Sequence, residues 1–92
     1  MKPENVNPTN FKREHIIYED DYFSIAYGVW DDDENGLGMR WNGEDNKNGY
    51  PNNRNGQPVW FRISGNLTDI FLAALLSTPY SNKKNIISIL NS

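Results

Sequence analysis

Few residues in this chain have side chains that do chemistry. There is one histidine, His15, and no cysteine, so thiolate nucleophiles, thiolate metal sites and disulfides are excluded. His15 opens an apolar run beside Lys12, Arg13 and Glu14, and no serine sits in a nucleophile-elbow pattern. An exposed, idle imidazole is the better reading. The side chains with most to offer are aromatic and cationic: Trp30, Arg40, Trp41, Tyr50, Trp60 and Arg62. An indole gives a flat apolar wall and a guanidinium a planar donor fork, a pairing that suits an anionic or planar ligand. Glu44 and Asp45 are the nearest carboxylates to that set, and they are all that an enzyme reading has to work with.

One metal pattern is half present. Asp31, Asp33, Asn35 and Gly36 fit the opening of a calcium loop, D-x-D-x-N-G, in which alternate oxygens converge on the ion. The later positions depart from it: Asn42 stands where the bidentate Glu belongs and Gly38 replaces the usual apolar residue. A turn kept soluble by its carboxylates is the better reading. Calcium is the one cofactor the sequence brings into question.

The candidate side chains depend on the elements that carry them. Alternation over Tyr22–Trp30 sets Phe23, Ile25, Tyr27 and Val29 on one side and Tyr22, Ser24, Ala26, Gly28 and Trp30 on the other. A shorter strand precedes it at His15–Glu19, with an Asp20-Asp21 turn between. The run Leu37–Asn42 sets Leu37, Met39 and Trp41 against Arg40, with the Asn35-Gly36 pair marking a hairpin before it. The run Pro58–Ser64 sets Val59, Phe61 and Ile63 against Trp60 and Arg62. If one side is the core, Trp30, Arg40, Trp60 and Arg62 share the outer face, above the small residues Ser24, Ala26 and Gly28. The alternatives are a stacked Arg–Trp surface or a face covered by the N-terminal arm.

Between the last two strands lies Gly43–Gln57, a Gly/Asn/Pro loop longer than hairpins use, with Tyr50-Pro51 as its anchor. It reads as an interaction loop or as a solvated one. It contains neither a phosphate-cradling G-x-x-x-x-G-K nor G-x-G-x-x-G.

The C-terminal third is helical. Asn66 with Asp69 resembles a capping box, and Thr78-Pro79 stops the helix after Ser77. A second helix follows Ser81, carrying Ile86, Ile87, Ile89 and Leu90. In the first, Ile70, Phe71, Ala74 and Leu75 cover one arc while Leu72 and Leu76 lie beyond it, so two sides need cover. The last helix or a second copy of the chain, as a homodimer, would supply it.

Together these give a two-layer α+β domain over 15–92: an antiparallel sheet of about four strands with C-terminal helices on one face. Residues 1–14, with Pro3 and Pro8, read as a flexible arm that only Phe11 anchors. The net charge of −3 and isoelectric point near 4.9 argue against nucleic acid as partner. The longest apolar run, Ile70–Leu76, is too short for a membrane, and the polar start has no apolar core of a secretory signal. A cytoplasmic protein is expected.

The block Arg40-Trp41-Asn42, Gly49-Tyr50-Pro51 and Gly56-Gln57-Pro58-Val59-Trp60-Phe61 resembles a pattern in small uncharacterised bacterial proteins, some carried in integron gene cassettes. It covers about a quarter of the chain, and the resemblance implies no activity, substrate or cofactor. The functional expectation is a binding module using the aromatic–arginine face and the loop to take a small molecule or a protein. The alternative is an inhibitor- or immunity-type protein that sets Asp31–Glu34 against a basic partner.

Overall fold

Each of the sheet's four strands pairs antiparallel with the next in sequence. The computed structural model describes residues 1–44 and 47–92. Its strands are β1 (Phe11–Glu19), β2 (Phe23–Trp30), β3 (Asn35–Trp41) and β4 (Phe61–Arg62), followed by α1 (Thr68–Leu75) and α2 (Lys83–Leu90). This is the α+β architecture expected, with differences that bear on the site.

β1 begins at Phe11, so the arm ends at Asn10 rather than Glu14. Lys12, Arg13 and Glu14 have the character of solvated chain, yet an edge strand tolerates such charges and uses them to discourage further pairing. Two register shifts, at Arg13/His15 and Ile16/Tyr18, roughen the same edge. At the first turn Asp20 Oδ1 accepts from the amides of Tyr22 and Phe23, both at 2.8 Å. At the second, Asp33 supplies the left-handed residue (φ 67°), so the turn closes before Asn35, which already pairs with Val29. The Asn-Gly pair is therefore strand, not turn.

β4 is only two residues long because its place beside the end of β3 is taken. Trp41 donates to the Tyr50 carbonyl at 2.7 Å and accepts from the Tyr50 amide at 3.0 Å, so the loop itself pairs there. Gly49 makes this possible: its φ is 71°, and a Cβ would stand 2.0 Å from the Trp41 carbonyl oxygen.

A 3-10 turn at Gly65–Leu67 precedes α1, and no side chain caps it, so the Asn66–Asp69 capping box is absent. The cap that does form is on α2, where the Asn82 side chain accepts from the Asn85 amide at 3.1 Å. Both helices lie over one sheet face, burying Leu72 and Ile86 with Ile17, Ile25 and Leu37. Backbone bonds from Asn82 to Ile17 and from Glu19 to Tyr80 fasten the helical hairpin to the β1 edge. α2 covers only one side of α1, for Ile70 remains 64% exposed.

Residues 1–10 cover the opposite face. Val6 is fully buried among Phe11, Ala26, Trp30 and Trp60, and Pro3 is buried beside it. Each face of the sheet thus has its own covering segment, the helices on one and the arm on the other.

Candidate functional site

Alternation predicts the side of the sheet correctly for all four outer residues but not their exposure. Trp30, Trp60 and Arg40 are 4%, 3% and 1% exposed. The open aromatic–arginine face expected from the sequence does not exist, because the arm covers it. The Trp60 indole donates to the Val6 carbonyl at 2.9 Å, and Phe11 stacks on Trp30 with ring centres 4.2 Å apart. Gly38 lets Trp60 lie flat on β3, since a Cβ there would be 2.8 Å from the Trp60 Cβ. The overlooked signal was Val6, the one aliphatic residue between Pro3 and Pro8.

Arg40 holds the loop in place. Its Nη1 donates to the carbonyls of Val59 at 2.5 Å and Pro51 at 3.2 Å, and its Nη2 donates to the Asn48 carbonyl. All three acceptors are neutral, and burial lowers the guanidinium's pKa from its ordinary value. Among the described residues the only ion pair joins Arg62 to Asp32, at 3.0 Å. Arg62 also lies over the Trp30 ring, 5.2 Å from its centre, at the exposed rim of the covered face.

The exposed aromatic surface is on the other side. Trp41, Tyr50 and Phe61 are 55%, 66% and 61% exposed on the helix-facing side of the sheet, beyond the reach of the helices. Phe61 was expected to be core. It pairs with Met39 and faces the helix side as alternation demands, but no helix covers it. These rings border a groove of about 280 Å³ whose floor is Phe23, Met39 and Ile63. The floor residues also pack against the helix-side core, so the groove is the uncovered end of that core. Its rings come from backbone that is fixed on both sides. Trp41 ends β3, Tyr50 is bridged to it, and Phe61 is in β4. Phe23 meets Trp41 edge to face at 4.7 Å. Among the described residues Arg40 is the only charged one bordering it, with its side chain buried on the opposite face of the sheet.

Of the six candidate ligand-binding residues, then, Trp41 and Tyr50 stand at the groove and Arg40 behind it. Trp30 and Trp60 are core on the opposite face, and Arg62 is at that face's rim. Helix length was the missing information, because the sequence does not say how far eight-residue helices reach across a sheet.

The side chains of the acidic turn have structural partners. The Asn35 amide donates to the Tyr27 hydroxyl at 3.0 Å, Asp32 holds the Glu34 amide at 3.1 Å and pairs with Arg62, and Asp33 is the left-handed residue. Among the described residues no three His, Cys, Asp or Glu side chains converge on a point a metal ion would occupy.

Glu44 borders a polar hollow of about 440 Å³ with Glu19, Asp20 and Asp21, sharing no residue with the groove, and Asp45 lies outside the described residues. The Asp20 carboxylate is fully engaged there. The Tyr18 hydroxyl donates to its Oδ2 at 2.5 Å, which with the turn amides lowers the Asp20 pKa and raises that of Tyr18. Burial raises that of Glu19. His15 pairs across the ladder with Tyr27 and lines neither hollow. Among the described residues no helix is long and apolar enough to cross a membrane. No family model, curated protein or solved structure matches the chain.

Proposed function

We propose that this is a cytoplasmic binding module whose contact surface is the groove bordered by Trp41, Tyr50 and Phe61. One observation carries the reading: three large aromatic side chains stand side by side, each more than half exposed, on backbone that strand pairing holds still. Water-facing aromatics in such a cluster go with a binding role, since isolated domains seldom leave contiguous apolar area bare. Fixed backbone adds to this, because a preformed site loses little entropy on binding. The cytoplasmic assignment draws on the absence of cysteine.

Chemical-shift mapping with small apolar ring compounds tests the reading. Perturbations should gather at Trp41, Tyr50 and Phe61 and vanish in a Trp41→Ala/Phe61→Ala variant that keeps the wild-type circular dichroism. Perturbations gathered instead around Val6 and Trp60 would refute it. Concentration-dependent sedimentation that the same double variant abolishes would make the occupant a second copy of the chain.

The alternative, an acidic partner-binding surface, draws on the exposed Asp31, Asp33 and Glu34. Its association rate should fall steeply with ionic strength, whereas groove binding should not.

A further inference from the structure

We infer that Asn55 is a site of spontaneous covalent modification, converted through a succinimide to aspartate and isoaspartate while the protein stays folded. This stands apart from the reading of the groove.

Four of the chain's seven glycines follow an asparagine, in Asn35-Gly36, Asn42-Gly43, Asn48-Gly49 and Asn55-Gly56. In such a pair the glycine backbone nitrogen, once it has lost its proton to base, can reach the asparagine Cγ with no side chain in the way. The N–Cγ bond forms as the Cγ–Nδ2 bond breaks, and the side-chain nitrogen leaves as ammonia. Water then opens the succinimide ring at one of its two carbonyls, giving aspartate or isoaspartate. Water is the only co-reactant. Ring closure needs a side chain free to turn, a glycine nitrogen free of neighbours, and backbone able to leave the geometry it holds.

Three of the four pairs lack these conditions. Asn35 Nδ2 donates to the Tyr27 hydroxyl at 3.0 Å, and Gly36 is buried in the ladder opposite Gly28. Asn42 is 7% exposed, its Oδ1 accepts from the Ser24 hydroxyl at 2.7 Å and its Nδ2 donates to the Asp20 carbonyl at 3.3 Å. Asn48 Nδ2 donates to the Gly56 carbonyl at 3.1 Å, and its own carbonyl accepts from Arg40. The Gly49 nitrogen is enclosed as well, since a Cβ on Gly43 would stand 2.4 Å from it.

Asn55 meets all three conditions. It and Gly56 are exposed, and among the described residues its side chain has no hydrogen-bond partner. A Cβ on Gly56 would meet nothing within 4 Å. The Gly56 amide donates to the Asn53 carbonyl at 2.9 Å, and an exposed turn bond of this kind opens at little cost. The Asn53 side chain secures the turn by accepting from the amides of Asn55 and Gln57, at 2.9 and 3.0 Å. Isoaspartate would insert a methylene into the main chain between those two amides, and either product adds a negative charge next to Arg54.

The test is peptide mapping of wild-type protein kept folded at neutral pH and in mild alkali, beside a sample unfolded in urea. Trypsin cuts after Arg40, Lys47 and Arg54, so each Asn-Gly pair falls on its own peptide, and a missed cut at Arg54 is counted with Asn55. Digestion in heavy-oxygen water marks any conversion that occurs during the digest. In the folded protein Asn55 should convert about tenfold or more faster than the other three, which must first break side-chain or ladder bonds. Its rate should rise with pH, because the attacking species is the deprotonated amide, and in urea the four rates should draw together. Conversion of Asn35, Asn42 or Asn48 at the rate of Asn55 in the folded protein would overturn the inference. So would an unchanged Asn55 over a period in which the urea sample is converted.

Discussion

Trp60 and Trp41 are on opposite faces of the same sheet, and their surroundings differ in a way that strand periodicity alone does not reveal. Trp60 points away from the helices, yet Val6 covers it and accepts its indole hydrogen. Trp41 points toward the helix side, yet is 55% exposed because α1 and α2 stop short of the β3–β4 end. Pleating decides which way a side chain points. What covers it is decided by distant segments, here an arm of ten residues and two helices of eight. A face without helices is not for that reason a surface.

The sharpest way to break this contrast is to truncate each indole. Trp60→Ala should cost about 3–5 kcal/mol, from lost burial and the cavity left beneath the arm. Trp41→Ala should cost about 1 kcal/mol or less, since its main loss is the edge contact with Phe23. Urea denaturation of the two variants gives both numbers, and equal costs would mean the faces are not distinct.

Arg40→Met probes the link between them, since Arg40 shares the covered face with Trp60 and holds the loop that carries Tyr50. The change removes a buried charge, which helps, and leaves three carbonyls without their donor, which does not. A net loss of about 2–4 kcal/mol is expected, with loop amides exchanging faster than those of β2.

Gly49→Ala acts on the groove side alone. The positive φ and the close approach to the Trp41 carbonyl should cost about 1–3 kcal/mol and break the Trp41–Tyr50 bridge. Tyr50 resonances should then shift while the Trp60 indole stays where it is.

The smallest effect is one of pH. Asp20 has its pKa lowered below the ordinary 3.8 by the Tyr18 hydroxyl and the turn amides. Its contribution is complete above that value and is lost as pH falls through the lower folded pKa. Tyr18 is raised above 10.0 by the same bond, so its contribution is present below that value and lost as pH rises through the folded pKa. Glu19, raised by burial, works against Asp20 in acid. Asp20→Asn should therefore flatten the fall in Tm between neutral pH and about pH 2, and leave the groove unaffected.

The meander, the side each residue faces and the helical C-terminus were all legible in the sequence, because period-two alternation and Thr78-Pro79 are local signals. The extent of β1 was not, since Lys12, Arg13 and Glu14 have the character of solvated chain and an edge strand accepts them. Nor was the shortness of β4, which follows from Gly49 and Tyr50 taking the place beside Trp41. Of the candidate site, Trp41 was legible as an aromatic residue before the loop and Tyr50 as the loop's anchor. The exposure of Phe61 was not legible, because facing the helix side does not bring a helix over it. The role of Arg40 was not legible, because its acceptors are loop carbonyls that come close only once the loop has folded.

Quenching of tryptophan fluorescence tests most directly the claim that the aromatic surface lies on the helix side and the core beneath the arm. With acrylamide, one indole of the three should be readily quenched in the wild type, and Trp41→Phe should remove that accessible fraction. If Trp41→Phe leaves it unchanged, Trp30 or Trp60 is the open indole, the arm does not cover its face, and the account is wrong.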